Sequence, residues 1–213
     1  MAIEVITLSV GPLEVNCYII GCGVHKVCAV FDPGDSPQKI LEKVEKKNWS
    51  VRQIINTHGH ADHTGANAKI KEATGADIGI HKDDAELLTH PEMQGMAGYL
   101  GLGVSPEADI VFEENQVVSI CPCLEFKVLS APGHSPGGAC FVFDSSVVTG
   151  DTLFNMSIGR SDLTGGDHKK LMESIKEKLL TLPDEMKVYP GHGEATTIGY
   201  ERANNPFITG DSY

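Results

Sequence analysis

The sequence predicts a layered α/β (α+β) fold in which helices cover the faces of sheets. Three observations carry that expectation. Short apolar runs closed by turn residues recur from the first residues onward. Segments with helical spacing alternate with them through both halves of the chain. The 23 glycines among 213 residues supply the tight turns that such short elements need.

Each element follows from its own pattern. Ile3–Val10, residues 17–20 and Val27–Phe31 read as strands, the third closed by Asp32-Pro33-Gly34. Ser36 is then placed to cap a helix whose Ile40, Leu41 and Val44 share one face. A strand over 51–56 leads into a histidine-rich segment, and a helix follows near 66–73. Residues 77–80 read as a short strand and 82–88 as a short helix. From 89 to 109 the pattern dissolves into Pro, Gly and Met, and a structureless stretch of that length is usually functional or mobile. We read it as a mobile lid or substrate wall carrying Met93, Met96, Tyr99, Leu100 and Leu102; a short irregular helix over a sheet edge is the plainer alternative. Strands resume over 116–120, Leu124–Ser130, Ala139–Phe143 and 146–149. Asp167 is placed to cap a helix through Leu171, Ile175 and Leu179, residues 187–189 form a last strand, and a short helix follows Thr196.

Composition narrows the function. Hydrophobic residues make up 41% of the chain, enough for a core, and the length suits one domain over 1–213. The balance of 17 basic against 29 acidic side chains, a net charge of −12, disfavours a nucleic-acid partner. The start lacks a basic, apolar leader, and no window is apolar enough to span a bilayer. A cytoplasmic protein with a small-molecule substrate and no membrane contact is therefore expected. Six cysteines read as thiols, and Cys121-Pro122-Cys123, lacking CxxC spacing, reads as structural.

The chemistry lies in the loops. In Thr57-His58-Gly59-His60-Ala61-Asp62-His63, extended backbone would put His58, His60 and Asp62 on one face, with a helix starting near His63. Three histidines and an aspartate in six residues are a metal-ligand density that a plain polar loop does not have. Ala131-Pro132-Gly133-His134, Thr149-Gly150-Asp151 and Tyr189-Pro190-Gly191-His192 each put one ligand-type side chain just past a strand end. Sites of α/β proteins gather at such ends.

This HxHxDH segment and the later His, Asp and His resemble the metallo-β-lactamase-fold hydrolases. Asn16-Cys17-Tyr18, Asp32-Pro33-Gly34, Gly133-His134-Ser135-Pro136-Gly137 and Gly150-Asp151-Thr152-Leu153-Phe154 resemble the glyoxalase II-like (hydroxyacylglutathione hydrolase-like) branch. The resemblance implies a four-layer αβ/βα sandwich with its site at the edge between two sheets. It implies two divalent metal ions, zinc first, with iron or manganese also suited to the donors. His58, His60 and His134 would bind one ion, Asp62, His63 and His192 the other, and Asp151 would bridge them, with Asp62 and Asp151 carrying catalysis. Two ions bring about +4 and the two aspartates with one hydroxide about −3, so water between the ions ionises near neutral pH and the ions can polarise a carbonyl. Asp32 would orient a ligand histidine, and Arg160 would brace the loop through Asp151 or Asp162. His25, His81, His90 and His168 read as surface or turn residues.

The resemblance points to hydrolysis of a thioester. Typical glyoxalase II enzymes add a C-terminal helical region that holds glutathione, whereas only residues 193–213 follow the last histidine here. The expected substrate is therefore a small, hydroxyacylglutathione-like acyl thioester. A mononuclear iron persulfide dioxygenase of the same fold is the second reading, carried by Gly159-Arg160-Ser161-Asp162. Phosphodiester cleavage is disfavoured by the acidic charge, and lactamase action by His63, which stands where many such enzymes have arginine.

Overall fold

The computed structural model describes residues 3–210; Met1, Ala2 and 211–213, on which parts of the leader and domain-span readings fall, lie outside the described residues. Ile3–Val10 (β1), Val15–Cys22 (β2), Val27–Phe31 (β3), the helix Pro37–Lys46 (α1) and Ser50–Ile55 (β4) open the chain. Ala61–Thr64 (α2), Asn67–Thr74 (α3), Asp77–His81 (β5), a 3-10 turn over Lys82–Thr89, Pro91–Leu100 (α4) and Ile110–Phe112 (β6) complete the first half. The second half holds Val117–Cys121 (β7), Leu124–Ser130 (β8), Ala139–Phe143 (β9), Ser146–Gly150 (β10) and the small hairpin Leu153–Phe154 (β11) with Ser157–Ile158 (β12). His168–Glu177 (α5), a 3-10 turn Leu179–Thr181, Lys187–Pro190 (β13), Thr196–Thr197 (β14), Ile198–Asn204 (α6) and Pro206–Thr209 (α7) follow.

The strands form two six-stranded sheets, in orders β1-β2-β3-β4-β5-β6 and β14-β13-β10-β9-β8-β7. In each, antiparallel hairpins carry the chain to parallel neighbours, β3 beside β4, β4 beside β5 and β10 beside β13. Alternation along buried strands sorts residues between layers. Tyr18, Ile20 and Cys22 of β2 enter the core between the sheets, while Cys17 and Ile19 face the other way. That central core is aromatic: the Phe31 ring meets Phe126 and Phe141 edge-on at 4.9 and 5.3 Å, contacts worth roughly 0.5–1.5 kcal/mol each beyond area burial. Ile40 and Val44 of α1 with Ile70 of α3 cover the outside of the first sheet. Leu171 and Ile175 of α5 cover the second. The result is helix, sheet, sheet, helix, the four-layer αβ/βα sandwich.

Four readings need correction. Ser36 makes no capping hydrogen bond; it sits in left-handed backbone at φ 56°, and Pro37 pre-sets the first turn. Residues 89–109 are not structureless: α4 runs through Pro91–Leu100, with His90 accepting from the Glu92 N–H and Gly101 closing it at φ 70°. Gly95 and Gly98 depress its helical propensity, and Ala97 is its buried residue, so no apolar stripe announced it. The helix near His63 begins at Ala61, with consequences for Asp62 below. His81 is buried at the end of β5, its Nε2 2.8 Å from Ser130 Oγ. His25, His90 and His168 are exposed as expected, no disulfide joins the six cysteines, and no helix among the described residues is long and apolar enough to cross a membrane.

Candidate metal centre

All seven histidines and aspartates singled out in the sequence converge where strands of both sheets end. Beyond β4, Thr57 is fixed by Asp32, whose carboxylate accepts from the Thr57 N–H and hydroxyl, both at 2.7 Å. His58 and His60 leave this anchored segment on the same side, as alternation requires. Asp62 does not extend that face; it enters from the first turn of α2, with His63 next to it. His134 follows β8, Asp151 follows β10 and His192 follows β13. Two glycines make room. A Cβ at Gly34 would lie 1.6 Å from the Asp62 carbonyl, and one at Gly191 2.1 Å from Asp151 Oδ1.

Three overlapping groups of donor atoms, each within 4.8 Å, result: His58, His60 and His134; His58, His63 and Asp151; Asp62, His63 and His192. His60 Nδ1 is 2.9 Å from His134 Nε2. Asp62 Oδ2 is 3.7 Å from His63 Nε2 and 3.5 Å from His192 Nε2. Asp151 reaches both sides, with Oδ1 3.4 Å from His63 Nε2, and Oδ2 3.6 Å from the Nε2 atoms of both His134 and His192.

Outer contacts decide which ring nitrogens face inward. A carbonyl can only accept, so His134 Nδ1 donates to the Arg160 carbonyl at 2.7 Å, and His192 Nδ1 to the Leu13 carbonyl at 3.0 Å. The Thr57 hydroxyl, already donating to Asp32, accepts from His58 Nδ1 at 3.0 Å. His63 Nδ1 lies 3.1 Å from Asp32 Oδ2, an ion-pair separation without aligned hydrogen-bond geometry. The outer bonds thus turn the Nε2 atoms of His58, His134 and His192 toward the centre, where Nε2 of His63 and Nδ1 of His60 join them. His58 Nε2, His63 Nε2 and Asp151 Oδ1 are buried there with no hydrogen-bond partner. Stranded acceptors of this kind are costly unless a cation meets them, so the residues present fit divalent metal ions.

The electrostatics agree. Burial, then the neighbouring imidazoles, hold His58 well below the ordinary histidine range and His60 at about 4, so both are neutral ligands. Burial is the largest single influence on Asp62 and Asp151 and opposes their charge, yet His63 and the other imidazoles together keep both carboxyls below their usual range. Burial likewise opposes charge on His63, but Asp151, Asp62 and Asp32 raise it well above normal. A pocket this anionic competes for positive charge, whether proton or metal.

Asp84 went unread in the sequence, and Asn16 and Tyr18 entered only as part of a resemblance, without a role. Buried Asp84 accepts from the Gly59 N–H at 2.9 Å, the Ser135 hydroxyl at 2.7 Å and the Gly137 N–H, tying the His58–His60 loop to the His134 loop. Asn16 and Tyr18 donate to the Pro190 carbonyl at 3.0 and 2.6 Å and so steady the His192 turn. Each joins segments far apart in sequence, a signal that local patterns do not carry. Arg160 braces its loop through Asp162, with two 2.8 Å bonds at an exposed site, and not through Asp151. Asp84→Ala should strand three donors at a cost of roughly 3 kcal/mol or more. For a chain of this size we expect a melting temperature lower by about ten degrees and metal affinity weaker by roughly tenfold or more. Calorimetry and metal titration check it; an unchanged melting point would show that the loops are held otherwise.

A cavity of about 760 Å³ opens from His60, Asp62 and Asp151 and is lined by Met93, Met96 and Leu100 of α4 and by Phe154, Ile158 and Leu163. Tyr99, 87% exposed, points away from it.

The metallo-beta-lactamase superfamily model matches residues 10–192. A probable metallo-hydrolase, YqgX of Bacillus subtilis, is 35% identical over 96% of this chain and 97% of its own. Hydroxyacylglutathione hydrolase GloC of Haemophilus influenzae is 33% identical over the full length of both. Among solved structures, BLEG-1 B3 metallo-beta-lactamase superposes with a TM-score of 0.90 at 32% identity, covering 97% of this chain and 100% of that one. TTHA1623 in a di-iron-bound form gives 0.84 at 37%, covering 95% and 99%. ETHE1 from Myxococcus xanthus gives 0.84 at 27%, covering 98% and 86%. The chain belongs to the metallo-beta-lactamase superfamily, among the metal-dependent hydrolases of its glyoxalase II-like branch.

Proposed function

We propose that this chain hydrolyses a small acyl thioester of the hydroxyacylglutathione kind at a two-metal centre. The observation that carries the reading is the second donor set: Asp62, His63 and His192 are assembled as fully as His58, His60 and His134, with Asp151 between them. Zinc suits these nitrogen and carboxylate donors, and the di-iron form of TTHA1623 makes iron the first competitor. When bound, two divalent cations supply an acidified water and an electrophile for the acyl oxygen. The chain does the rest. Carbonyls of Arg160 and Leu13 lock His134 and His192, and Asp32 with Thr57 orients His58. One carboxylate oxygen of Asp62 is left to take the proton of the attacking water and return it to the departing thiolate, so that water adds across the C–S bond to give an acid and a thiol. The H. influenzae relative that aligns over its full length is named a hydroxyacylglutathione hydrolase, which supports this substrate class.

Elemental analysis of protein purified without added metal, paired with a thioester assay, tests the proposal. Two metals per chain and saturable thioester turnover are expected. One iron per chain with oxygen uptake on a persulfide would favour the dioxygenase reading carried by Gly159-Arg160-Ser161-Asp162. Faster turnover of a β-lactam, the comparison set by BLEG-1, would overturn the substrate class.

The cavity wall yields a further expectation. Met96 lines the cavity yet is 46% exposed, so Met96→Ala removes substrate contact without opening the core. The Michaelis constant for a thioester should rise about threefold or more, with metal content and melting temperature nearly unchanged, an effect worth under roughly 1–2 kcal/mol. A large fall in melting temperature with unchanged kinetics would make α4 core and not wall.

A further inference from the structure

We propose that Cys22, His25, Cys121 and Cys123 form a second, sulfur-rich metal site that takes a thiophilic divalent cation of the zinc class. Cys22 ends β2 and His25 lies in the turn to β3, while Cys121 ends β7 and Cys123 lies in the turn to β8. The fold brings these two hairpins, one from each sheet, together. The donor atoms of Cys22, His25 and Cys121 lie within 4.8 Å of one another. Cys121 and Cys123 both pack against the central core, to which Cys22 belongs.

The geometry suits zinc. With zinc–sulfur bonds of about 2.3 Å and zinc–nitrogen bonds of about 2.0–2.1 Å, a sulfur-to-nitrogen edge of a tetrahedron spans about 3.5 Å. Cys22 Sγ and His25 Nδ1 are 3.4 Å apart. Cys22 is in contact with both neighbouring donors. The His25 N–H points at Cys22 Sγ from 3.5 Å. Burial opposes a charge on Cys22, yet bonds from the His25 backbone and ring, from the Val24 backbone and from Cys121 bring it down to about 6. Exposed His25 leaves an entry path.

This site is remote from the histidine centre. β3 and β8 both start at the cysteine end, and the residues after their far ends, Asp32 and His134, belong to the centre. An ion here would clamp the two sheets together at the end opposite catalysis, a structural role independent of the reaction proposed above.

Cobalt(II) alone, added to the full-length protein, tests this. The histidine centre has no sulfur donor, so a sulfur-to-cobalt charge-transfer band reports the cysteine cluster. One such ion per chain is expected, lost in Cys121→Ser and bound at least about tenfold more weakly in His25→Ala. Both substitutions lie in part-exposed hairpin ends, so folding and thioester turnover should persist. No charge-transfer band in the reduced wild type would overturn the site. So would a band of full strength in Cys121→Ser, or a Cys22–Cys121 disulfide in protein purified without reductant.

Discussion

Asp151→Asn is expected to lose metal and to lower thioester turnover by at least about a hundredfold, which is about 2.7 kcal/mol of transition-state stabilisation. Asp151 reaches both donor sets, with one oxygen 3.4 Å from His63 Nε2 and the other 3.6 Å from both His134 and His192. Asparagine keeps the shape but removes the charge, and its amide hydrogens would face either a cation or an imidazole. The side chain has nowhere to turn, because Gly191 packs so close that a Cβ there would sit 2.1 Å from Oδ1. Isostery keeps the fold, so the loss should read as missing metal in elemental analysis together with reduced kcat. Full metal content and near-normal turnover would remove Asp151 from the site.

The fold was readable where one physical constraint dominated. β3 and β9 have the predicted bounds because each is a buried apolar run closed by turn residues, and β8 because its buried residues alternate with exposed Glu125 and Lys127. The strand-end glycines before His134, Asp151 and His192 carried the site for the same reason, since side chains past parallel strand ends share one edge. Three kinds of feature stayed hidden. α4 carries two internal glycines and faces a cavity, so it lacks the stripe that marks a helix against a core. The β11–β12 hairpin has two residues per strand, too few for alternation to register. Asp84, His81 and the cluster around Cys22 each depend on a partner 25 or more residues away, which spacing along the chain does not encode.

Asp62→Ala should separate the two halves of the centre. Asp62 enters from α2 and meets His63 and His192, whereas His58, His60 and His134 form a donor group of their own. Removing it leaves that group with Asp151 intact and reduces the other to two imidazoles and the shared carboxylate. We expect one metal to stay bound while hydrolysis falls by at least about a hundredfold, since a second electrophile and the proton acceptor go together. Loss of a carboxylate from a first helical turn costs roughly 0.3–1 kcal/mol, so the melting temperature should move by only a few degrees. Elemental analysis is decisive: two ions in the variant would contradict the division of donors. The same protein discriminates between reactions. A hydrolase that needs both ions loses thioester turnover, while a dioxygenase working at one iron would keep oxygen uptake on a persulfide, because the first donor set is untouched.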